Sequence, residues 1–161
     1  ALIKAQNSLK RALRAKMIGL LQRVSRAKVT VGNTAIAEID RGLLVLVAVH
    51  RDDKERDISR LAERILGYRV FPDAEGRMNL SVTDISGGLL LVPQFTLTAD
   101  TRKGTRASFT KGADPEKAAA YFDRLVASCR EDLATVASGQ FGADMQVSLV
   151  NDGPVTFWLE S

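Results

Sequence analysis

Residues Gly42 to Val49 read Gly-Leu-Leu-Val-Leu-Val-Ala-Val, with no polar side chain on either face. A strand with one wet face alternates apolar and polar residues; this run does not, so it must be covered on both sides. It is far short of the ~20 apolar residues of a membrane span. A second run, Leu89-Leu90-Leu91-Val92, follows Gly87-Gly88 and has the same character. A fold around two such strands needs a covering layer on each face of the sheet.

Two segments supply one cover. From Asp52-Asp53-Lys54, residues Ile58, Leu61, Ala62, Ile65 and Leu66 recur at helical spacing and make one apolar stripe. Asp52 or Asp53 is the expected cap and Gly67 the expected end. Arg56, Arg60 and Arg64 form a basic opposite edge. The second helix opens at Asp114-Pro115-Glu116, a cap followed by proline and an acid in the first turn. Its buried stripe is Ala118, Phe122, Leu125, Val126 and Cys129.

Further strands are expected at Ile18–Val24, with Ala27–Val31 as its continuation or hairpin partner. After the Gly32-Asn33 turn, another spans Ala35–Ile39. Pro72 to Gly76 is a turn, and residues 133–144 are a loop or short strand. Near the end, Met145–Val150 and Val155–Leu159 flank Asn151-Asp152-Gly153-Pro154, whose turn chemistry reads locally as a tight hairpin. Strands flank two separated helices rather than alternating with them. The fold class is therefore α+β: one domain, with a mixed or antiparallel sheet curled toward a barrel and two main helices over it.

The net charge of +4 is unevenly placed. Residues 1–16 contain Lys4, Lys10, Arg11, Arg14 and Lys16 and no acid. They read as an N-terminal extension, either a remnant or a basic arm, ahead of a near-neutral domain at 17–161. Affinity for an anionic polymer must then come from local patches. The single cysteine and single histidine exclude an internal disulfide framework and a Cys/His zinc cluster. Cys129 is expected as core and His50 as a loop residue, and neither has a partner arrangement suited to acid–base catalysis. No metal or other cofactor is expected.

Two stretches carry chemistry. Pro93-Gln94-Phe95-Thr96-Leu97 follows the second buried strand, where a rigid element can fix a loop with unpaired backbone groups. Asn151-Asp152-Gly153-Pro154-Val155-Thr156 comes about 60 residues later. Together they resemble the signatures of the D-aminoacyl-tRNA deacylase family, Ser-Gln-Phe-Thr-Leu and Asn-x-Gly-Pro-x-Thr. Leu21-Gln22-Arg23-Val24, Gly67-Tyr68-Arg69-Val70-Phe71 and Gly142 to Val147 extend the likeness, which runs from Met17 to Leu159. The second signature is complete. The first has Pro93 where the family has Ser, which removes a hydroxyl and a backbone donor. A related branch with altered chiral preference carries Pro-Gln-Ala-Thr-Leu; retention of Phe95 groups this chain with the D-specific branch.

The resemblance implies hydrolysis of the ester joining a D-amino acid to the 3′ end of tRNA, and of glycyl-tRNA mischarged on tRNA-Ala. It implies a cytoplasmic homodimer with no membrane association. Gln94, Phe95 and Thr96 become the catalytic residues, with an oxyanion hole at the backbone N–H groups of Phe95 and Thr96. The Thr96 hydroxyl as nucleophile stays open. Gly153 and Pro154 form a Gly-cisPro selectivity element reaching the partner's site, with Arg23, Met145 and Thr156 as further substrate-binding residues. Arg102, Lys103 and Arg106, with Lys111 beside them, are expected to hold tRNA phosphates. The alternatives are a deacylase of relaxed chirality acting on other mischarged tRNAs, and a noncatalytic tRNA-binding dimer.

Overall fold

A computed structural model describes residues 3, 4, 6 and 16–161. Most of the N-terminal extension expected at 1–16 therefore lies outside the described residues. The sheet contains β1 (Ile18–Val31), β2 (Thr34–Ile39), β3 (Gly42–Ala48), β6 (Gly88–Pro93), β7 (Val136–Ser138) and β8 (Met145–Glu160). A separate small ribbon pairs β4 (Phe71–Pro72) with β5 (Met78–Leu80). The helices are α1 (Glu55–Gly67) and α2 (Pro115–Asp132).

β1 organises the sheet because it is long enough to have three partners. Its first half, Ile18–Val24, runs antiparallel to β3, and its second half, Ala27–Val31, antiparallel to β2. β8 runs antiparallel along its other side, from Ile18 opposite Glu160 to Val31 opposite Met145. The two apolar runs are parallel neighbours, with Gly42 opposite Gly88 and Val47 opposite Pro93. Their start is glycine on both strands for a steric reason. A Cβ on Gly42 would lie 1.8 Å from the Gly88 carbonyl oxygen.

The sheet separates two cores. Leu43, Val45, Leu89 and Leu91 face α1 and α2, meeting Leu61, Ile65, Phe122, Leu125 and Cys129. Leu44, Leu90 and Val92 face the other way, where β1, β2 and β8 curl over them with Val24, Val29, Ile39 and Val147. The α+β class, the curled mixed sheet and the two helices thus agree with the sequence expectation. Cys129 is fully buried, and desolvation pushes its thiol up to about 12.

Several local expectations change. The Asn151–Thr156 segment is not a hairpin. β8 passes through it in one direction, because both flanks pair with the same strand, β1. The α1 cap position is Lys54 rather than Asp52 or Asp53. Asp57 reaches back to accept from the Lys54 N–H at 2.7 Å, while Asp53 accepts from the His50 N–H at 2.7 Å. Each buried carboxylate thus serves a backbone donor that would otherwise lack a partner. His50, expected as a loop residue, follows β3 and bridges to Gly112. It is buried, its Nδ1 meets the Lys16 carbonyl, and burial lowers its pKa from the ordinary 6.5.

Candidate active site

β6 ends in a structural corner. Pro93 closes the parallel register, and the Gln94 N–H makes a last ladder bond to the Val47 carbonyl at 2.7 Å. The chain then tightens into a short 3-10 turn, Phe95–Thr98. It is held by Leu97 N–H to Gln94 O at 3.2 Å, Ala99 N–H to Thr96 O at 3.1 Å and Thr98 Oγ1 to Phe95 O at 2.8 Å. The opening N–H groups of a helical turn have no carbonyl partner inside it. Here those groups belong to Phe95 and Thr96, and both residues are exposed.

The Gln94 side-chain amide donates to the Thr96 hydroxyl in a short hydrogen bond. An amide donor orients that hydroxyl but cannot take its proton, so it does not activate Thr96 as a nucleophile. Gln94, Phe95 and Thr96 sit together on this corner, with the backbone N–H groups of Phe95 and Thr96 left open and the Thr96 hydroxyl already hydrogen-bonded. His50 lies outside the cavity linings beside them. Among the described residues, no group of three or more His, Cys, Asp or Glu could hold a metal ion.

Beside this corner lies an open cleft of about 540 Å³, whose walls include Pro93, Gln94, Phe95, Phe141 and Met145. Met145 lines this cleft, and its half-buried side chain also packs on the second core. A small adjoining cavity of about 60 Å³ brings in Phe109. The Phe95 and Phe109 rings are 5.3 Å apart and tilted by 53°, although 61% and 43% exposed. Two large rings left in water beside a cleft form a surface on which a flat ligand can stack. Sequence reasoning missed Phe109; its signal was an isolated aromatic in the polar run Thr105 to Lys111.

The basic loop is more ordered than its composition suggests. Asp100 and Ser108 pair across its base. The Arg102 guanidinium grips Asp100 with Nε at 2.9 Å from Oδ1 and Nη2 at 2.6 Å from Oδ2. Those bonds hold the Asp100 carboxyl well below the usual range. All three basic side chains, Arg102, Lys103 and Arg106, are exposed, but Arg102 is already paired with Asp100.

The Gly153 segment is a wide bulge. Gln22 pairs with Thr156 and Val24 with Asn151, so four residues, Asp152–Val155, stand opposite the single Arg23. Asn151 closes the bulge, donating from Nδ2 to Thr156 Oγ1 at 2.9 Å and accepting from the Val155 N–H at 2.8 Å. The Gly153–Pro154 peptide is cis, and Gly153 has φ of 139°, a conformation that favours glycine. Arg23 lies in the middle of β1, not at a strand end. It donates from Nε to the Asp152 carbonyl at 2.9 Å and from Nη1 to the Val70 carbonyl at 2.6 Å. Thr156 closes the bulge through its hydroxyl.

Within one chain these two parts stand apart. Arg23 is level with Leu43, while Gln94 follows Pro93, which is level with Val47. Four strand residues separate those levels by about 13 Å, at ~3.3 Å per residue. The bulge does not join its own chain's Gln94–Thr96 corner. It projects Asp152, Gly153 and Pro154 into solvent.

The profile of the family described as D-Tyr-tRNA(Tyr) deacylase matches residues 20–160. A D-aminoacyl-tRNA deacylase of Alkalilimnicola ehrlichii is 62% identical over 145 residues, 90% of this chain and 97% of the relative. That of Klebsiella pneumoniae is 58% identical over 89% of this chain and 99% of the relative. A solved structure titled "c-Myc DNA Unwinding Element Binding Protein" superposes with a TM-score of 0.86 at 37% identity, covering 89% of this chain and 98% of that one. A probable eukaryotic D-amino acid tRNA deacylase shares the fold at a TM-score of 0.78 and 19% identity, covering 91% of this chain and 100% of that one. The match spans the β6 corner, the cleft and the β8 bulge, and this chain belongs to the D-Tyr-tRNA(Tyr) deacylase family of ester hydrolases.

Proposed function

We propose that the protein is a homodimer that removes D-amino acids from tRNA, each subunit's Gly153-Pro154 bulge entering the other's Gln94–Thr96 cleft. The observation that carries this reading is the pair of opening N–H groups at Phe95 and Thr96, on a fixed corner beside an open cleft. An aminoacyl ester needs little more than placement, an oxyanion site and a nucleophile. Water adds to the ester carbonyl carbon, and the carbonyl oxygen takes the developing charge against the two N–H groups. The ribose 3′-oxygen then leaves and takes a proton, freeing the amino acid and the tRNA. Phe95 and Phe109 stack on the terminal base. Lys103 and Arg106 meet the phosphates, and such a substrate implies a cytoplasmic enzyme.

Two observations support the dimer. The bulge points away from its own cleft, and one end of the second sheet face is uncovered. There Leu46, Leu20 and Trp158 lie side by side across three strands, with Trp158 51% exposed. A second copy placed there covers that face and brings its bulge to the cleft. The Gly153 carbonyl then receives the substrate's α-ammonium group, and the close backbone leaves no room for an L side chain. Glycine has no side chain to reject, so glycyl-tRNA is cleaved as well.

The test is deacylation of D-Tyr-tRNA, L-Tyr-tRNA and Gly-tRNA by the purified protein, with its mass measured in solution. Hydrolysis of the D and glycyl substrates by a dimer, with L-Tyr-tRNA spared, is expected. Pro93 favours one second reading, a deacylase of relaxed chirality, because the family's Ser hydroxyl is missing from the corner. Comparable hydrolysis of L-Tyr-tRNA would establish it, and no hydrolysis of any substrate would overturn the enzymatic reading.

A further inference from the structure

The cleft beside Gln94 and Phe95 has one ionisable side chain among its lining residues, Asp144. Its neighbours on the wall, Phe141, Ala143, Met145 and Val147, are apolar. Asp144 follows a turn closed by the Ala143 N–H to the Gln140 carbonyl at 3.2 Å, and β8 begins at the next residue. It is therefore mounted on a rigid strand end.

Six other acidic side chains of this chain are engaged by its own backbone. Asp53, Asp57, Asp73, Asp84, Asp100 and Asp114 each accept from a backbone N–H. Among the described residues, no hydrogen bond or ion pair is found for the Asp144 carboxylate. An ionised carboxylate only accepts, so at the rim of an aromatic cleft it selects a ligand that presents N–H groups and repels phosphate. In a nucleic-acid base, the group that meets a carboxylate in this way is an exocyclic amine.

Resting on the deacylase reading, we propose that Asp144 is a specificity-determining residue that accepts a hydrogen bond from the exocyclic N6 amine of the substrate's terminal adenine. The base lies on the Phe95–Phe109 surface and its amine edge meets the carboxylate. The acid also turns the phosphate backbone away from the cleft and toward Lys103 and Arg106. This reader is indifferent to the amino acid, which suits a site that takes many side chains on one common 3′ terminus.

The test uses stable 3′-amide analogues, 3′-(D-tyrosylamido)-3′-deoxyadenosine and its purine counterpart lacking the N6 amine, with binding measured by calorimetry. Wild type should bind the adenine analogue about tenfold more tightly, the lower end for a hydrogen bond to a charged group. Asp144→Leu should bring the two within about twofold by weakening only the adenine analogue. Asp144→Asn keeps an acceptor oxygen and should keep most of the preference, which a merely structural role would not. Equal binding of both analogues by wild type overturns the proposal, as does an equal loss for both in Asp144→Leu; the latter would assign the carboxylate to the α-ammonium. Deacylation of D-Tyr-tRNA by wild type is followed separately. If it fails while the adenine preference holds, the deacylase reading is lost and the base reader stands.

Discussion

Arg23 ties the Gly153 bulge to the body of the protein, and its replacement separates a fold effect from a site effect. The Arg23 side chain is only 13% exposed and donates to two carbonyls on different segments, Asp152 and Val70. A hydrogen bond from a charged donor contributes about 1.5–3 kcal/mol net. The bond to Val70, which is partly buried, should contribute about 2 kcal/mol on that scale. The bond to Asp152 is solvent-exposed and should contribute about 1 kcal/mol. The accompanying Arg23–Asp152 ion pair, at 3.7 Å to a carboxylate 55% exposed, adds little. Arg23→Ala should therefore cost about 3 kcal/mol of stability, or roughly 6–12 °C in Tm for a domain of this size. Arg23→Lys can reach only one carbonyl at a time and should recover about half. The assay pairs thermal unfolding by circular dichroism with kcat/KM on D-Tyr-tRNA at 20 °C, where both variants remain folded. If the bulge completes a partner's site, kcat/KM should fall at least tenfold in Arg23→Ala and less in Arg23→Lys. Loss of stability with kcat/KM within twofold of wild type would refute the coupling. A Tm unchanged in both variants would refute the hydrogen-bond argument itself.

Phe109→Ala should raise KM for D-Tyr-tRNA about fivefold or more, since base stacking contributes roughly 1–3 kcal/mol, while Phe109→Tyr keeps the ring and the affinity. Steady-state kinetics on both variants checks this. Lys103→Ala with Arg106→Ala should flatten the dependence of log KM on log salt by about 1.4, at ~0.7 per single-strand phosphate contact, and leave turnover at saturation unchanged. Burial lowers the pKa of His50 below 6.5, so the unfolded chain takes up the proton first as pH falls. The stability His50 contributes is then complete above about pH 6.5 and is lost as pH falls toward and through the folded value. His50→Gln should show a smaller drop in Tm than wild type between about pH 7 and pH 5.

The elements legible in the sequence were those whose signal is local. Gly42–Val49 and Leu89–Val92 announce burial on both faces by lacking alternation, and the α2 cap is written in Asp114-Pro115. Asp114 indeed accepts from the Lys117 N–H at 2.9 Å. One misreading arises where a distant partner decides. Asn-Asp-Gly-Pro has the chemistry of a hairpin turn, yet its flanks pair with β1, more than a hundred residues earlier, and that pairing makes it a bulge. Others are short-range: Asp53 has the composition of a helix cap, but its carboxylate accepts from the backbone N–H of His50, three residues earlier. Arg102 looks free in a basic run, yet the Asp100 carboxylate two residues earlier engages its guanidinium.

The site follows the same rule at the next level up. The corner to which the proposed function assigns catalysis is local, since β6, one proline and one tight turn produce the exposed N–H groups of Phe95 and Thr96. The bulge to which the proposed function assigns selectivity belongs to another part of the chain, and β1 is the link between them. Leu21 of β1 is paired with Val45 of β3, two residues before the strand position that receives the Gln94 N–H. Two residues further along β1 from Leu21, Arg23 holds the bulge. A shift of β1 against β3 would therefore move the bulge relative to the corner within each subunit. In a symmetric dimer that displacement would occur at both clefts. Packing on β1 thus bears on selectivity as much as on stability. Gly19, whose Cβ would sit 3.2 Å from Val45 and 3.3 Å from Leu61, is where a single added methyl group would press on that register. Gly19→Ala should relax the discrimination between D-Tyr-tRNA and L-Tyr-tRNA while leaving the exposed residues of the cleft untouched. Unchanged discrimination in a variant destabilised by 1 kcal/mol or more, about the lower end for overpacking a core, would show that the register is not the link.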